Sequence, residues 1–269
     1  PGLMNDIIPE NFKIAIVGAG NVATRLGLAA KEKGFRIAGV ASRTVSSAKP
    51  LAERLSCPVL ADISEIPADC DLVLIATTDT AVAGVAAAIP PVKGIVAHTS
   101  GSVPLETLAA IHERAAVIYP LQTFSRDVEV DVSEVPFFTE ATDAGTLAVA
   151  DSFAQTLSRT CSHADSAIRA KLHVAGVLSS NFPIYLLGMT EKVLAEAGLP
   201  LSTVQPLVKA SISKAFEVGP HDALTGPARR GDVKVLNKQL SSLSDPAAKA
   251  IYEAISDAIL QEYHQNLLP

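Results

Sequence analysis

The chain has 269 residues, 48% of them hydrophobic and 4% aromatic, with no Trp and a formal net charge of −6. That length holds two domains or one large one with an ample core. The acidic balance argues against a nucleic-acid surface or attraction to anionic membranes, and apolar stretches such as 81–91 are interrupted by Pro or Gly and fall short of a membrane span.

Residues 1–11 carry no signal peptide and read as a loose terminal arm. The first strand, Lys13-Ile14-Ala15-Ile16-Val17, breaks into Gly18-Ala19-Gly20-Asn21-Val22-Ala23, and a helix is predicted over 21–33. A strand, then G-x-G-x-x-A, then a helix is the dinucleotide fingerprint. Gly18 permits the tight turn, Gly20 the approach of a pyrophosphate, and Ala23 close helix–strand packing. The first-turn N–H groups complete an anion site, so Gly18, Ala19, Gly20, Asn21 and Val22 are the expected cofactor contacts.

A second strand over 36–41 ends in Ser42-Arg43-Thr44. An NAD site would carry Asp or Glu there for the ribose 2′-hydroxyl. Arg43 can instead pair with a 2′-phosphate, helped by the hydroxyls of Ser42, Thr44 and Ser46, so NADP(H) is favoured over NAD. The alternative is that Arg43 is a solvated loop charge.

Next come a helix over 46–55, a short strand at Val59-Leu60 and a strand over 71–76 ending in Thr77-Thr78-Asp79. A helix running to Ile89, a strand over 94–97 leading into His98-Thr99-Ser100-Gly101-Ser102, a helix over 104–112 and a strand over 116–118 ending in Tyr119-Pro120-Leu121-Gln122-Thr123 follow. Apolar strands joined by amphipathic helices imply an α/β fold, a Rossmann-type doubly wound parallel sheet. Ligands bind beyond the carboxyl ends of such strands, where Thr77, Thr78, Asp79, His98, Ser100 and Gln122 all fall. After an αβ unit with a strand at 136–139, a helix over 143–157 and a strand at 160–162, strand signals cease. Helices are predicted over 166–195, 201–218, 230–240 and 246–267, which places an NADP-binding domain at 11–164 and a helical domain at 165–269. Cys57, Cys70 and Cys161 have no metal-ligand spacing, so no metal is expected; they read as reduced thiols of a cytoplasmic protein.

A G-x-G-x-x-A Rossmann domain with its second strand ending in Ser-Arg-Thr, then an all-helical domain, resembles the 6-phosphogluconate-dehydrogenase-like superfamily. That group includes ketopantoate reductase, pyrroline-5-carboxylate reductase, prephenate dehydrogenase and 3-hydroxyisobutyrate dehydrogenase. More closely, His98-Thr99-Ser100-Gly101, Tyr119-Pro120-Leu121-Gln122-Thr123-Phe124, Lys171-Leu172-His173-Val174-Ala175, Ser179-Ser180-Asn181 and Ala223-Leu224-Thr225-Gly226-Pro227-Ala228-Arg229-Arg230-Gly231-Asp232 resemble a group of NADP oxidoreductases with a helical C-terminal domain of unknown function. The resemblance spans 12–267. It implies an NADP-dependent reductase fold and a homodimer through the helical domain, and it names no substrate.

Reduction of C=O or C=N needs a proton donor beside the hydride donor. In the better-known relatives a helical Lys donates, paired with an Asn four residues later; here that position is Ala175. On a regular helix Lys171 lies about 160° from His173, so the two cannot serve one atom. His173 is the expected general acid or orienting group, the free imidazole titrating near pH 6.5. Asn181 is the expected substrate or nicotinamide-amide contact, with His98 and Ser100 completing the pocket. The alternatives are a hydrogen-bonded core histidine at 173 and local capping by Asn181 before Pro183. Gln122, Arg229 and Arg230 are candidate contacts for an anionic substrate, the alternative for the arginines being solvent exposure beside a helix N-terminus near Asp232. Two functions stand: an NADP-dependent oxidoreductase acting on a small oxo or imino compound, or a non-catalytic NADP-binding sensor.

Overall fold

The computed structural model describes Ile8 and residues 11–125 and 127–264. Most of the predicted terminal arm, and the predicted helix end at Leu267, lie outside the described residues. A seven-stranded sheet is formed by β1 (Lys13–Val17), β2 (Arg36–Ala41), β3 (Leu72–Ile75), β4 (Ile95–His98), β5 (Ala115–Pro120), β6 (Phe137–Ala141) and β7 (Cys161–His163), in the order β2-β1-β3-β4-β5-β6-β7.

The first five strands are parallel. Their side chains alternate between two cores, because successive residues of a strand point to opposite faces. Ile14, Ile16, Leu72 and Leu74 face one core with Ala23 and Leu26 of α1 (Asn21–Glu32), Leu51 of α2 (Val45–Leu55) and Phe153 of α5 (Ala144–Leu157). Ala15, Val17, Val73 and Ile75 face the other with Val82 of α3 (Val82–Ala88) and Leu108 of α4 (Glu106–Ala109). The doubly wound fold is as expected. The predicted strand at Val59 is reduced to one isolated bridge with Val40.

The sheet is not parallel throughout: β6 runs antiparallel to β5, and β7 parallel to β6. A parallel neighbour needs a crossover connection. Among the described residues between Pro120 and Phe137 the one regular element is a 3₁₀ turn, Val132–Glu134; no crossover helix carries the chain over the sheet there, and β6 returns antiparallel.

By compactness the chain divides into Pro1–Ser180 and Asn181–Pro269. The first unit ends in α6 (Ser166–Gly176), continued by a π turn, Val177–Asn181. The predicted helix over 166–195 is therefore observed, with a local widening. Pro183 lacks an N–H and its ring crowds the carbonyl four residues back; the wider turn accommodates both. Angles reckoned at 100° per residue hold within α6 but not across this turn.

The second unit contains α7 (Phe182–Glu196), α8 (Gln205–Val218), the short turns α9 (Pro220–Ala223) and α10 (Pro227–Arg230), α11 (Val233–Ser242) and α12 (Pro246–Tyr263). The predicted helix over 230–240 breaks because Gly231 takes φ 71° and Asp232 starts a new helix, accepting the Val235 N–H at 3.2 Å. This unit's buried apolar cluster is small: Ala228, Leu236 and Leu260, with Tyr252 and Ile259 against it. Ile184, Leu207, Ile212 and Phe216 are exposed, Phe216 by 89%. The expectation that no segment is long and apolar enough for a membrane is corrected: helix Ser166–Glu196 meets that length and composition, with an 18-residue window of mean hydropathy 1.3.

Gly18 decides the turn after β1. It has φ 115°, and a β-carbon there would lie 2.2 Å from the Ala76 carbonyl oxygen. Gly18→Ala must therefore displace backbone. A loss of about 2–4 kcal/mol is expected in urea unfolding; a loss below about 0.5 kcal/mol would show that the turn has room to adjust.

Candidate functional site

The Gly18 N–H donates to the Ala41 carbonyl at 2.8 Å, while its Cα faces the Ala76 carbonyl. The loop is thus wedged between the ends of β2 and β3, where the strand order reverses. Such a crevice is where open α/β sheets bind ligands. Gly20 caps α1 without any side-chain hydrogen bond, and a β-carbon on it would meet nothing within 4 Å. The first N–H groups of the helix, which have no intrahelical acceptor, therefore open onto free space. Ala23 is fully buried, which permits the close helix–sheet packing read from the motif. The Asn21 side chain is otherwise engaged: its amide donates to the Phe124 carbonyl at 3.0 Å, and Arg25 holds the Ser125 and Val128 carbonyls at 2.9 Å.

Beyond β2, Thr44 caps α2, accepting the Ser47 N–H at 3.1 Å. Ser47, which sequence reading passed over, donates to Ser42 Oγ at 2.9 Å. Arg43 is exposed and has no ion pair among the described residues. Beyond β3, Thr77 is half-buried while Thr78 and Asp79 are exposed. The Ser102 hydroxyl donates to the Asp79 carboxylate and joins the ends of β3 and β4. Gln122 is exposed, and its side-chain oxygen accepts the Thr123 N–H at 2.8 Å.

His98 is completely buried, and its Nδ1 accepts the Ser100 N–H at 3.1 Å. The neutral ring thus carries its proton on Nε2, which has no hydrogen-bond partner within normal geometry among the described residues. Burial, reinforced by the Arg169 guanidinium, pushes its pKa down to about 4. Ser100 Oγ accepts the N–H groups of Ser102 and Val103 at 3.0 and 3.1 Å. Both residues are therefore engaged in shaping the loop after β4.

On α6, Arg169 is buried, Leu172 packs on the second core, and a β-carbon at Gly176 would lie 3.6 Å from Leu121 Cδ1. This face meets the sheet. His173 lies about 70° from its centre and Lys171 about 130° away. His173 is exposed and makes no hydrogen bond among the described residues, unlike a core histidine. Asn181 is exposed and forms no cap. In the second unit the Arg229 guanidinium stacks 4.0 Å from the centre of the Tyr263 ring, and Arg230 is exposed.

Residues 1–123 match the Rossmann-like domain, and residues 135–259 match a domain of unknown function, DUF2520. A Bacteroides fragilis structure named as a candidate NADP oxidoreductase is 34% identical, with 94% of this chain and 99% of that one covered and a TM-score of 0.84. The chain belongs to this family of Rossmann-like proteins with a DUF2520 domain. At lower identity, two solved structures share the fold. One is 1-pyrroline-5-carboxylate reductase of Streptococcus pyogenes: 17% identity, 96% and 100% of the two chains covered, TM-score 0.64. The other is an imine reductase of Myxococcus stipitatus in complex with NADP+: 14% identity, 93% and 95% covered, TM-score 0.63. No curated protein sequence matches the chain.

The DUF2520 match begins before β6 and so includes β6, α5 and β7. In the DUF2520 protein these strands nonetheless pair into the Rossmann sheet, which puts them in the first compact unit. Arg169 is the residue that sequence reading missed. It occupies the apolar stripe of α6 with Leu172 and Gly176, and a charge on such a stripe is the signal that could have found it.

The buried neutral His98 gives a pH signature. Its folded pKa, about 4, lies below the ordinary 6.5, so between these values the unfolded chain binds the extra proton. Stability is full above the ordinary value and falls as pH drops through the window, by up to about 1.4 kcal/mol per unit. Urea unfolding should show this acid limb, flattened in His98→Asn; superimposable limbs would remove His98 as its source.

Proposed function

We propose that this chain is an NADP(H)-dependent oxidoreductase that moves a hydride between NADPH and a small oxo or imino substrate bearing an anionic group. The observation that carries this reading is the uncapped N-terminus of α1 opening into the crevice between β1 and β3. Its N–H groups and positive dipole end suit a pyrophosphate. Ser42 and Arg43 suit a 2′-phosphate, with no carboxylate at the end of β2 to repel it. The names of the similar solved structures, an NADP oxidoreductase candidate and an imine reductase in complex with NADP+, support the same reading.

NADPH, when bound, would supply the hydride. With Gly18 setting the turn through its bond to Ala41, the main chain at Ala19, Gly20, Asn21 and Val22 would hold its pyrophosphate, while Thr77, Thr78 and Asp79 would receive the groups beyond. His173, exposed at the edge of the face of α6 that meets the sheet, would donate the proton to the substrate heteroatom. His98 stays neutral and, with Ser100, shapes the pocket wall. Gln122 is assigned to the substrate; in the second unit, taken by itself, Asn181 offers an amide and Arg229 and Arg230 offer guanidiniums suited to an anionic group. The stacking of Arg229 on Tyr263 restrains the guanidinium plane, which favours bidentate pairing.

Calorimetric titration tests the cofactor. NADPH should bind more tightly than NADH, and Arg43→Ala should weaken NADPH about tenfold while sparing NADH. Gly20→Ala should abolish binding of both with stability unchanged, because its β-carbon meets only open space in the protein. Failure of the wild type to bind either nucleotide would sink the proposal. The Ala175 that replaces the relatives' Asn favours a second reading, an NADP sensor without turnover. A His173→Ala variant that binds NADPH but has lost wild-type turnover of keto or imino acids excludes it.

The partner that fits the helical unit is a second copy of the chain, forming a soluble homodimer. A three-residue buried cluster is a meagre core for a unit of this size, while apolar side chains stand exposed on α7 and α8. The 14 residues of α8 are too few to cross a bilayer, so a membrane span does not account for its exposed face. Light scattering should give the dimer mass for the wild type and a lower mass for Leu207→Asp/Phe216→Asp. A monomeric wild type, or one that sediments with vesicles, would overturn this.

A further inference from the structure

Arg169 is the largest fully buried side chain among the described residues, one turn before His173 on α6. Its Nη1 pairs with the Glu140 carboxylate of β6 and donates to the Ala164 carbonyl at 2.9 Å; its Nη2 donates to the Val103 carbonyl at 3.1 Å. Burying a guanidinium is expensive, and apolar residues of similar volume often hold a helix as firmly. What the planar fork adds is direction, since it fixes several acceptors in one geometry. Two of these acceptors lie at β6 and just after β7. The third, Val103, ends the loop that begins at His98.

Within that loop the hydrogen bonds form a chain. His98 Nδ1 accepts the Ser100 N–H, Ser100 Oγ accepts the N–H groups of Ser102 and Val103, and the Ser102 hydroxyl donates to Asp79. Arg169 is the side chain from α6 that enters this network, and its positive charge discourages protonation of His98. The turn after β1 and the end of β2 take the pyrophosphate and the adenosine phosphate. The ends of β3 and β4, across the crevice, are left for the other half of the dinucleotide.

We infer that Arg169 is a positioning residue: from α6 it pins the 98–103 loop as the wall against which the nicotinamide half of NADP(H) lies. The inference rests on the NADP(H) reading above. It goes further in assigning that half to a named loop and the loop's shape to one buried cation that itself touches neither cofactor nor substrate.

The test compares NADPH with adenosine 2′,5′-bisphosphate, which lacks the nicotinamide half, by calorimetry on the wild type and on Arg169→Met/Glu140→Gln. The double variant removes both buried charges together. It should bind adenosine 2′,5′-bisphosphate as the wild type does and NADPH about tenfold more weakly. In the ligand-free protein, ¹⁵N resonances of His98 should show one tautomer, protonated on Nε2, in the wild type and a mixture in the variant. If the double variant does not fold, Arg169→Lys, which keeps the charge and loses the planar fork, carries the same comparison. Equal weakening of both ligands, or unchanged NADPH affinity with an unchanged His98 tautomer, would overturn the inference. A wild type that binds neither ligand refutes the cofactor reading instead, and the His98 resonances then still report whether Arg169 orders the loop.

Discussion

Everything at the carboxyl edge of the sheet depends on how closely the backbone turns after β1. The Gly18 N–H is bonded to the Ala41 carbonyl on one side, and its Cα stands against the Ala76 carbonyl on the other. One turn therefore meets the ends of three strands, and any side chain at that position would push the strands apart. The same tightness directs α1 away from the sheet edge with its N-terminus uncovered. Stability and binding are here consequences of a single steric constraint. They separate at Gly20, where space is open and a β-carbon would obstruct only a ligand.

The loops beyond β3 and β4 are ordered differently, by polar contacts within a largely apolar surround. The Ser102–Asp79 bond joins one strand end to the next, and His98 and Ser100 hold the loop in shape from within. His98 and Ser100 are buried, so their contacts matter more than surface equivalents would, whereas Ser102 and Asp79 meet at the exposed rim. Burial also holds His98 neutral, which suits a supporting role.

The helical unit presents the opposite balance. Its helices are well formed, with Asp232 and Asp245 accepting first-turn N–H groups, yet little of their apolar surface is covered within the unit. A helix that is apolar on most sides is a helix buried in something larger. The exposed apolar residues on α7 and α8 are such a surface.

The sequence by itself determined the architecture and the place of the crevice. Strand runs of buried β-branched residues, helices between them and the G-x-G-x-x-A turn are local patterns, and local sterics and periodicity decide them. The ends of the long helix over Ser166–Glu196 were legible for the same reason. Its π turn is a response to Pro183, and the break at Gly231 comes from a backbone conformation suited to glycine; both residues are visible in the chain, but the geometry they impose depends on their surroundings. Tertiary structure alone decided the reversal of β6, the burial of His98, and the coming together of Arg169, Glu140 and Val103. Those depend on which distant segments meet, and a guanidinium becomes a structural cation only where the fold brings acceptors to it and takes the water away.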